Sequence, residues 1–160
     1  MRRLIAPLII AMSIATPAIA RDSLGVFERW GAFRDPAGPR CFAIAQPVKP
    51  DRSAAFAAIG YWPARHVRGQ VNLRLSRQRR PDTPVRLAVG DRRFTLVAGA
   101  ADAWAADARA DAAIIAAIRS GTSMAVEATD RSGRIFADAY ALRGAATAID
   151  AAALGCARRR

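Results

Sequence analysis

Hydrophobic and polar residues alternate most cleanly over residues 67–76, where Val71, Leu73 and Leu75 fall on one side and Gln70, Asn72 and Arg74 on the other. That period of two predicts a half-buried strand with Arg74 facing solvent. A hairpin is expected around Gly90-Asp91, a pair suited to a two-residue type II′ turn. Pairing outward from it sets Leu87 opposite Phe94 and Val85 opposite Leu96 on one face, and leaves the other to Arg86, Ala88, Arg93 and Thr95. Residues 124–129 and 134–142 read as two more strands joined by the turn-forming Asp130-Arg131-Ser132-Gly133. Nearer the start, Val26, Phe27, Trp30 and Phe33 belong to one expected strand and Cys41, Phe42, Ala43 and Ile44 to another, with Asp35-Pro36-Ala37-Gly38-Pro39 between them. Residues 47–63 carry proline at both ends and alanine between, which reads as a loop or a short helical turn.

A period nearer 3.6 appears twice. Over residues 107–119, Ile114, Ile115 and Ile118 share a side, Asp107 is placed to cap the first turn, and Gly121 is placed to end the helix in a left-handed cap. Residues 144–154 form a second, alanine-rich helix ended by Gly155, with Ile149, Ala153 and Cys156 on one stripe. About seven strands with two short helices indicate a mainly β protein, an antiparallel β-sandwich whose helices cap an end or an edge.

The chain has 160 residues. Its first 20 divide into a basic start (Arg2, Arg3), an apolar stretch over residues 4–14 and the small-residue site Ala18-Ile19-Ala20. These are the parts of a secretory signal peptide, expected to be cut after Ala20; the apolar run is too short to span a bilayer. Residues 21–160 then form one β-sandwich domain without a transmembrane segment, periplasmic or secreted. In that oxidising compartment Cys41 and Cys156, the only two cysteines, have one possible pairing; two separate buried thiols are the alternative. One histidine and two distant cysteines do not make a metal site, and no cofactor is expected.

The formal net charge is +12, and every basic residue except Lys49 is arginine. Arg65, Arg68, Arg74, Arg77, Arg79 and Arg80 crowd beside Trp62. A planar guanidinium fork matches phosphate and carboxylate, so this cluster is a candidate site for an anionic envelope component or an acidic protein. The plain alternative is a solvated cationic surface in an arginine-rich proteome. Export removes most of the reason to expect nucleic acid, and no aromatic stacking motif accompanies the charge. Trp30, Trp62 and Trp104 read more readily as core or edge packing than as ligand platforms.

Catalytic chemistry has little to stand on. His66 is the only histidine, lies between arginines in an expected loop, and has no nucleophile elbow or sequence-local carboxylate to accompany it. Asp102, Asp107 and Asp111 cluster, but a helix N-terminus explains their spacing. No catalytic residue is assigned. A small periplasmic hydrolase using His66 and a structural, stress-related envelope protein are the rival readings to a binding module.

The order of features resembles the invasion-associated locus B family of exported bacterial proteins. The likeness rests on Phe27-Glu28-Arg29-Trp30 followed by Cys41-Phe42-Ala43-Ile44-Ala45-Gln46-Pro47. It continues through Trp104, the helix ending Ala116-Ala117-Ile118-Arg119-Ser120-Gly121, and Met124-Ala125-Val126. Gly133, Asp138-Ala139-Tyr140-Ala141-Leu142-Arg143-Gly144, Ala148-Ile149 and Cys156 complete it. The resemblance implies a non-enzymatic, mostly β protein of the periplasm or envelope, with a role in host-cell entry for some members; it supplies no catalytic residues. Members often carry further cysteines near the first tryptophan, where this chain has Arg34 and Asp35.

Overall fold

A computed structural model describes residues 21–49 and 53–157, so the expected signal peptide and its cleavage site lie outside the described residues. Ten strands form one antiparallel sheet: β1 (Asp22–Phe27), β2 (Trp30–Asp35), β3 (Arg40–Ala45), β4 (Phe56–Trp62), β5 (Val67–Arg74), β6 (Val85–Val89), β7 (Arg92–Ala98), β8 (Asp102–Trp104), β9 (Ser123–Thr129) and β10 (Ile135–Ala141). Two helices, α1 (Ala108–Ser120) and α2 (Ala145–Ala157), complete the fold. The spatial order is β1-β2-β3-β4-β5-β8-β7-β6-β9-β10.

The mainly β, antiparallel architecture is as expected, but about seven strands become ten for three local reasons. The first expected strand is a hairpin, because Glu28 takes a positive φ of 56° and turns β1 back on β2. The stretch read as a loop contains β4, which pairs with β3 on one side and β5 on the other. The three-residue β8 bridges β5 and β7 and joins the two halves of the sheet.

The sheet folds over until its distant strands meet. Trp30 in β2 is fully buried and donates from Nε1 to the Ala141 carbonyl of β10 at 2.9 Å. Just beyond β3, the Val48 N–H reaches the Ala139 carbonyl at 2.7 Å. Side chains from both halves, among them Ala43, Ile59, Leu73, Leu87, Val126 and Tyr140, form one buried cluster with Ile114, Ile118 and Ile149 of the helices. The Gly90-Asp91 hairpin has the register read from its sequence, with Leu87 opposite Phe94, Val85 opposite Leu96, and Gly90 at a φ of 54°.

α2 lies across the core side of β1 to β4 and buries Ala145, Ala148 and Ala152, small residues that permit close approach to the strands, together with the larger Ile149. It does not stop at Gly155. The helix passes through that glycine, where a Cβ would meet Leu24 of β1 at 2.5 Å, and so carries Cys156 to Cys41. The two cysteines form a disulfide with Cα atoms 5.7 Å apart. α1 starts as expected, with the Asp107 carboxylate accepting from the Ala110 N–H at 2.7 Å. Its end departs from expectation: Gly121 is extended at φ −85°, not left-handed, and its lack of a side chain fits a tight approach to the Ala117 carbonyl, Leu142 and Val89.

The acidic cluster also divides. Asp107 caps α1 and Asp111 sits in its first turn, whereas Asp102 lies in β8 and pairs with Arg74 at 2.8 Å. Asp111 is buried and accepts the Val71 N–H at 2.7 Å. On its β5 side β8 reaches only Asn72, Leu73 and Arg74, so the carboxylate takes over where that short strand ends.

Candidate functional site

Both helices cover one side of the β1–β5 half of the sheet. Among the described residues no helix covers the opposite side, and there most outward positions of three strands are apolar or aromatic: Phe33 in β2, Phe42 and Ile44 in β3, and Phe56, Ala58 and Trp62 in β4. Two glycines shape this face. At Gly60 a side chain would collide with the Trp62 indole, and at Gly31 with the Phe33 ring, so each ring reaches back over the glycine two positions before it. The Phe33 and Phe42 rings are 5.8 Å apart at a tilt of 33°.

The resulting groove encloses about 450 Å³ between Arg21, Arg40, Phe42, Phe56, Trp62 and the amides of Gln70 and Asn72. It adjoins a second depression of about 430 Å³ toward Phe33, Val26 and Arg29, and a third of about 380 Å³ in which Arg40 and Trp62 meet Arg65. Two guanidinium groups stack on the Phe42 ring, Arg40 at 5.3 Å and Arg21 at 5.7 Å from its centroid. Asp35 is their shared counter-ion, 3.4 Å from Arg40 and 3.8 Å from Arg21. With Arg65 beside them, this rim has more positive than negative charge.

The seven residues proposed from sequence therefore have different environments. Trp62 and Arg65 join the groove at one end of the β4–β5 ladder. Arg68 lies opposite Tyr61, on the helix-bearing side and away from the groove. Arg74 is opposite Phe56 at the far end of that ladder, roughly 20 Å away by strand rise, and is paired with Asp102. Beyond it, Arg77 pairs with Asp130 at 3.4 Å and stacks on Phe136. Arg79 donates to the carbonyls of Ala98, Gly99, Arg80 and Thr83, pinning the β5–β6 connection to the β7–β8 turn. Arg80 is exposed, with its N–H on the Thr129 carbonyl. Sequence reasoning missed Arg21, Arg40 and Phe42, which are distant from Trp62 along the chain; the β3–β4 pairing brings Arg40 and Phe42 to it, and the β1–β2 and β2–β3 pairings bring Arg21.

His66 is exposed at the end of a short 3-10 turn (Pro63–Arg65), with a left-handed φ of 57° and its N–H on the Pro63 carbonyl. No carboxylate bonds to its ring among the described residues. Nor do those residues bring three or more His, Cys, Asp or Glu side chains together to hold a metal, and none of their helices is long and apolar enough to cross a membrane.

No family model matches the chain, and no curated protein matches it. Among solved structures, invasion associated protein B from Bartonella henselae superposes with a TM-score of 0.61 over 82% of this chain and 96% of that one, at 19% sequence identity. The chain is similar to that protein in fold, in agreement with the order of its sequence motifs. Likeness at this identity concerns the backbone arrangement and does not transfer a function.

Proposed function

We propose that the protein is an exported, non-enzymatic binding module of the cell envelope that engages an anionic component through the outer face of β2 to β5. The observation that carries this reading is the uncovered aromatic groove with Arg21 and Arg40 stacked at its rim. An apolar floor with a few convergent charged and amide groups is the usual make-up of a binding site. Among the described residues nothing around His66 orients it for proton transfer, which favours binding over hydrolysis. The disulfide between Cys41 and Cys156 supports an oxidising compartment, and the basic, apolar, small-residue order of the first 20 residues supports export to it.

Binding of the purified chain, without its first 20 residues, to isolated anionic envelope fractions tests the proposal. Retention should fall steeply between low and physiological salt, because exposed guanidinium contacts are screened within about 8 Å at 0.15 M. Replacing Arg21 and Arg40 together with Gln should produce a comparable loss at low salt. Salt-independent retention, or none at any ionic strength, overturns the reading.

A further inference from the structure

We infer that the ligand of this groove is an acidic oligosaccharide, stacked by its sugar faces on Trp62 and held by its acidic groups on Arg21 and Arg40; the inference rests on the binding role proposed above. Three features of the face select this chemistry from among anionic partners.

The first is the shape of the floor. Trp62 reaches back over Gly60, is partly exposed and lines the groove, so its indole offers an aromatic platform to a ligand. A pyranose ring has a comparably flat C–H face that covers such a platform. An acyl chain gains most where apolar surface surrounds it, and an open sheet face does not do that. Phe33 repeats the arrangement over Gly31 two strands away. From strand spacing and rise, the two platforms are roughly 12 Å apart, which calls for a chain of sugars and not a single one.

The second is the pair of amides. Gln70 and Asn72 project from β5 on the same face and line the groove, and among the described residues neither side chain has a hydrogen-bond partner. An apolar tail laid over them would strip their water and return nothing, at a cost for each group. Sugar hydroxyls both donate and accept, so they satisfy these amides.

The third is charge. Stacking on the Phe42 ring occupies the guanidinium planes and leaves N–H groups at their edges beyond those turned to Asp35. Those edges match the two oxygens of a carboxylate or the oxygens of a phosphate. With Asp35 the one carboxylate shared between Arg21 and Arg40 among the described residues, the rim has capacity for one further negative group.

Calorimetric titration with a galacturonic acid hexamer, cellohexaose as the neutral control and phosphatidylglycerol vesicles as the lipid control is the decisive measurement. The acidic hexamer should bind and quench Trp62 fluorescence, while the neutral one binds at least tenfold more weakly. Trp62→Ala should weaken the acidic hexamer at least tenfold. The double variant Gln70→Ala with Asn72→Ala should weaken it severalfold, and it leaves the cover over Gly60 intact should Trp62→Ala fail to fold. Vesicle binding that depends on Arg21 and Arg40 but ignores Trp62 and the amides would overturn the oligosaccharide and leave the anionic-partner reading standing. Failure to bind either anion would overturn both.

Discussion

Asp130 shows how much of a turn a single carboxylate can organise. It closes the β9–β10 connection by accepting from the Ser132 hydroxyl, the Ser132 N–H and the Arg134 N–H, and it pairs with Arg77 and Arg134. The Ser132 hydroxyl and then the Arg134 N–H are the leading causes that hold its pKa down to about 2 from an ordinary value near 3.8. A depressed carboxylate contributes stability above its unfolded pKa and loses it as pH falls through the folded one. Asp130→Asn should therefore have a lower urea midpoint than wild type at pH 7, and the gap should close between about pH 4 and pH 2. Urea titrations across that interval check it; a constant gap would mean that the ionised form has no special role. Asp111 has the opposite sign. Burial raises its pKa against the pull of the Val71 N–H, so its charge weighs on the folded state at neutral pH and protonation relieves it. The two carboxylates are separable because Asp130 lies in the β9–β10 turn while Asp111 serves the interface of α1 with β5.

Among the elements, the junction of β10 with α2 is tightly constrained. Gly144 adopts a φ of 85°, and a Cβ there would run into the Phe27 carbonyl at the end of β1. Gly144→Ala combines a strained backbone with a clash against main chain that cannot rotate away. It should cost about 2 kcal/mol or more, measured as a lower midpoint in urea, whereas Gly90→Ala, with open space around its Cβ position, should show only the turn's φ penalty. The Gly90 hairpin was legible in the sequence because its alternation and its turn residues agree on one register. β4 was hidden for the opposite reason. Ala57 and Ile59 face the core, but Phe56, Ala58 and Trp62 on the other side are apolar too, and alanine and glycine have low strand propensity. A strand with no polar face gives no alternation to read, and the apolar outer face that conceals β4 is also the floor of the groove. Gly155 misled similarly: a glycine near a helix end usually marks a cap, but here it admits Leu24, a contact set by packing between α2 and β1 and invisible along the chain. The arginine cluster was compact in sequence and dispersed in space, since an extended β5 carries its successive members apart at about 3.4 Å per residue.

At the scale of the whole molecule, the disulfide ties the last helix to the strand that floors the groove. Cys41 lies in β3 between Arg40 and Phe42, is completely buried, and meets Cys156 near the end of α2, 115 residues later. α2 packs on β1 to β4, so the bond holds in place the helix that backs the very strands whose outer face carries Phe33, Phe42 and Trp62. Closing so long a loop restricts the unfolded chain by about 5 kcal/mol on the chain-entropy view, a large fraction of the 5–15 kcal/mol typical of a folded domain. The double variant Cys41→Ala with Cys156→Ala should lose most of that amount, read from its urea midpoint beside the oxidised wild type at pH 7. Because α2 also buries Ala145, Ala148, Ile149 and Ala152, it should stay docked at low denaturant, leaving the strand circular dichroism of the variant unchanged. A loss under about 1 kcal/mol would show that the denatured chain is already compact enough for the link to restrict little, and collapse of the strand signal without denaturant would show that the buried stripe of α2 cannot hold the helix to the sheet unaided.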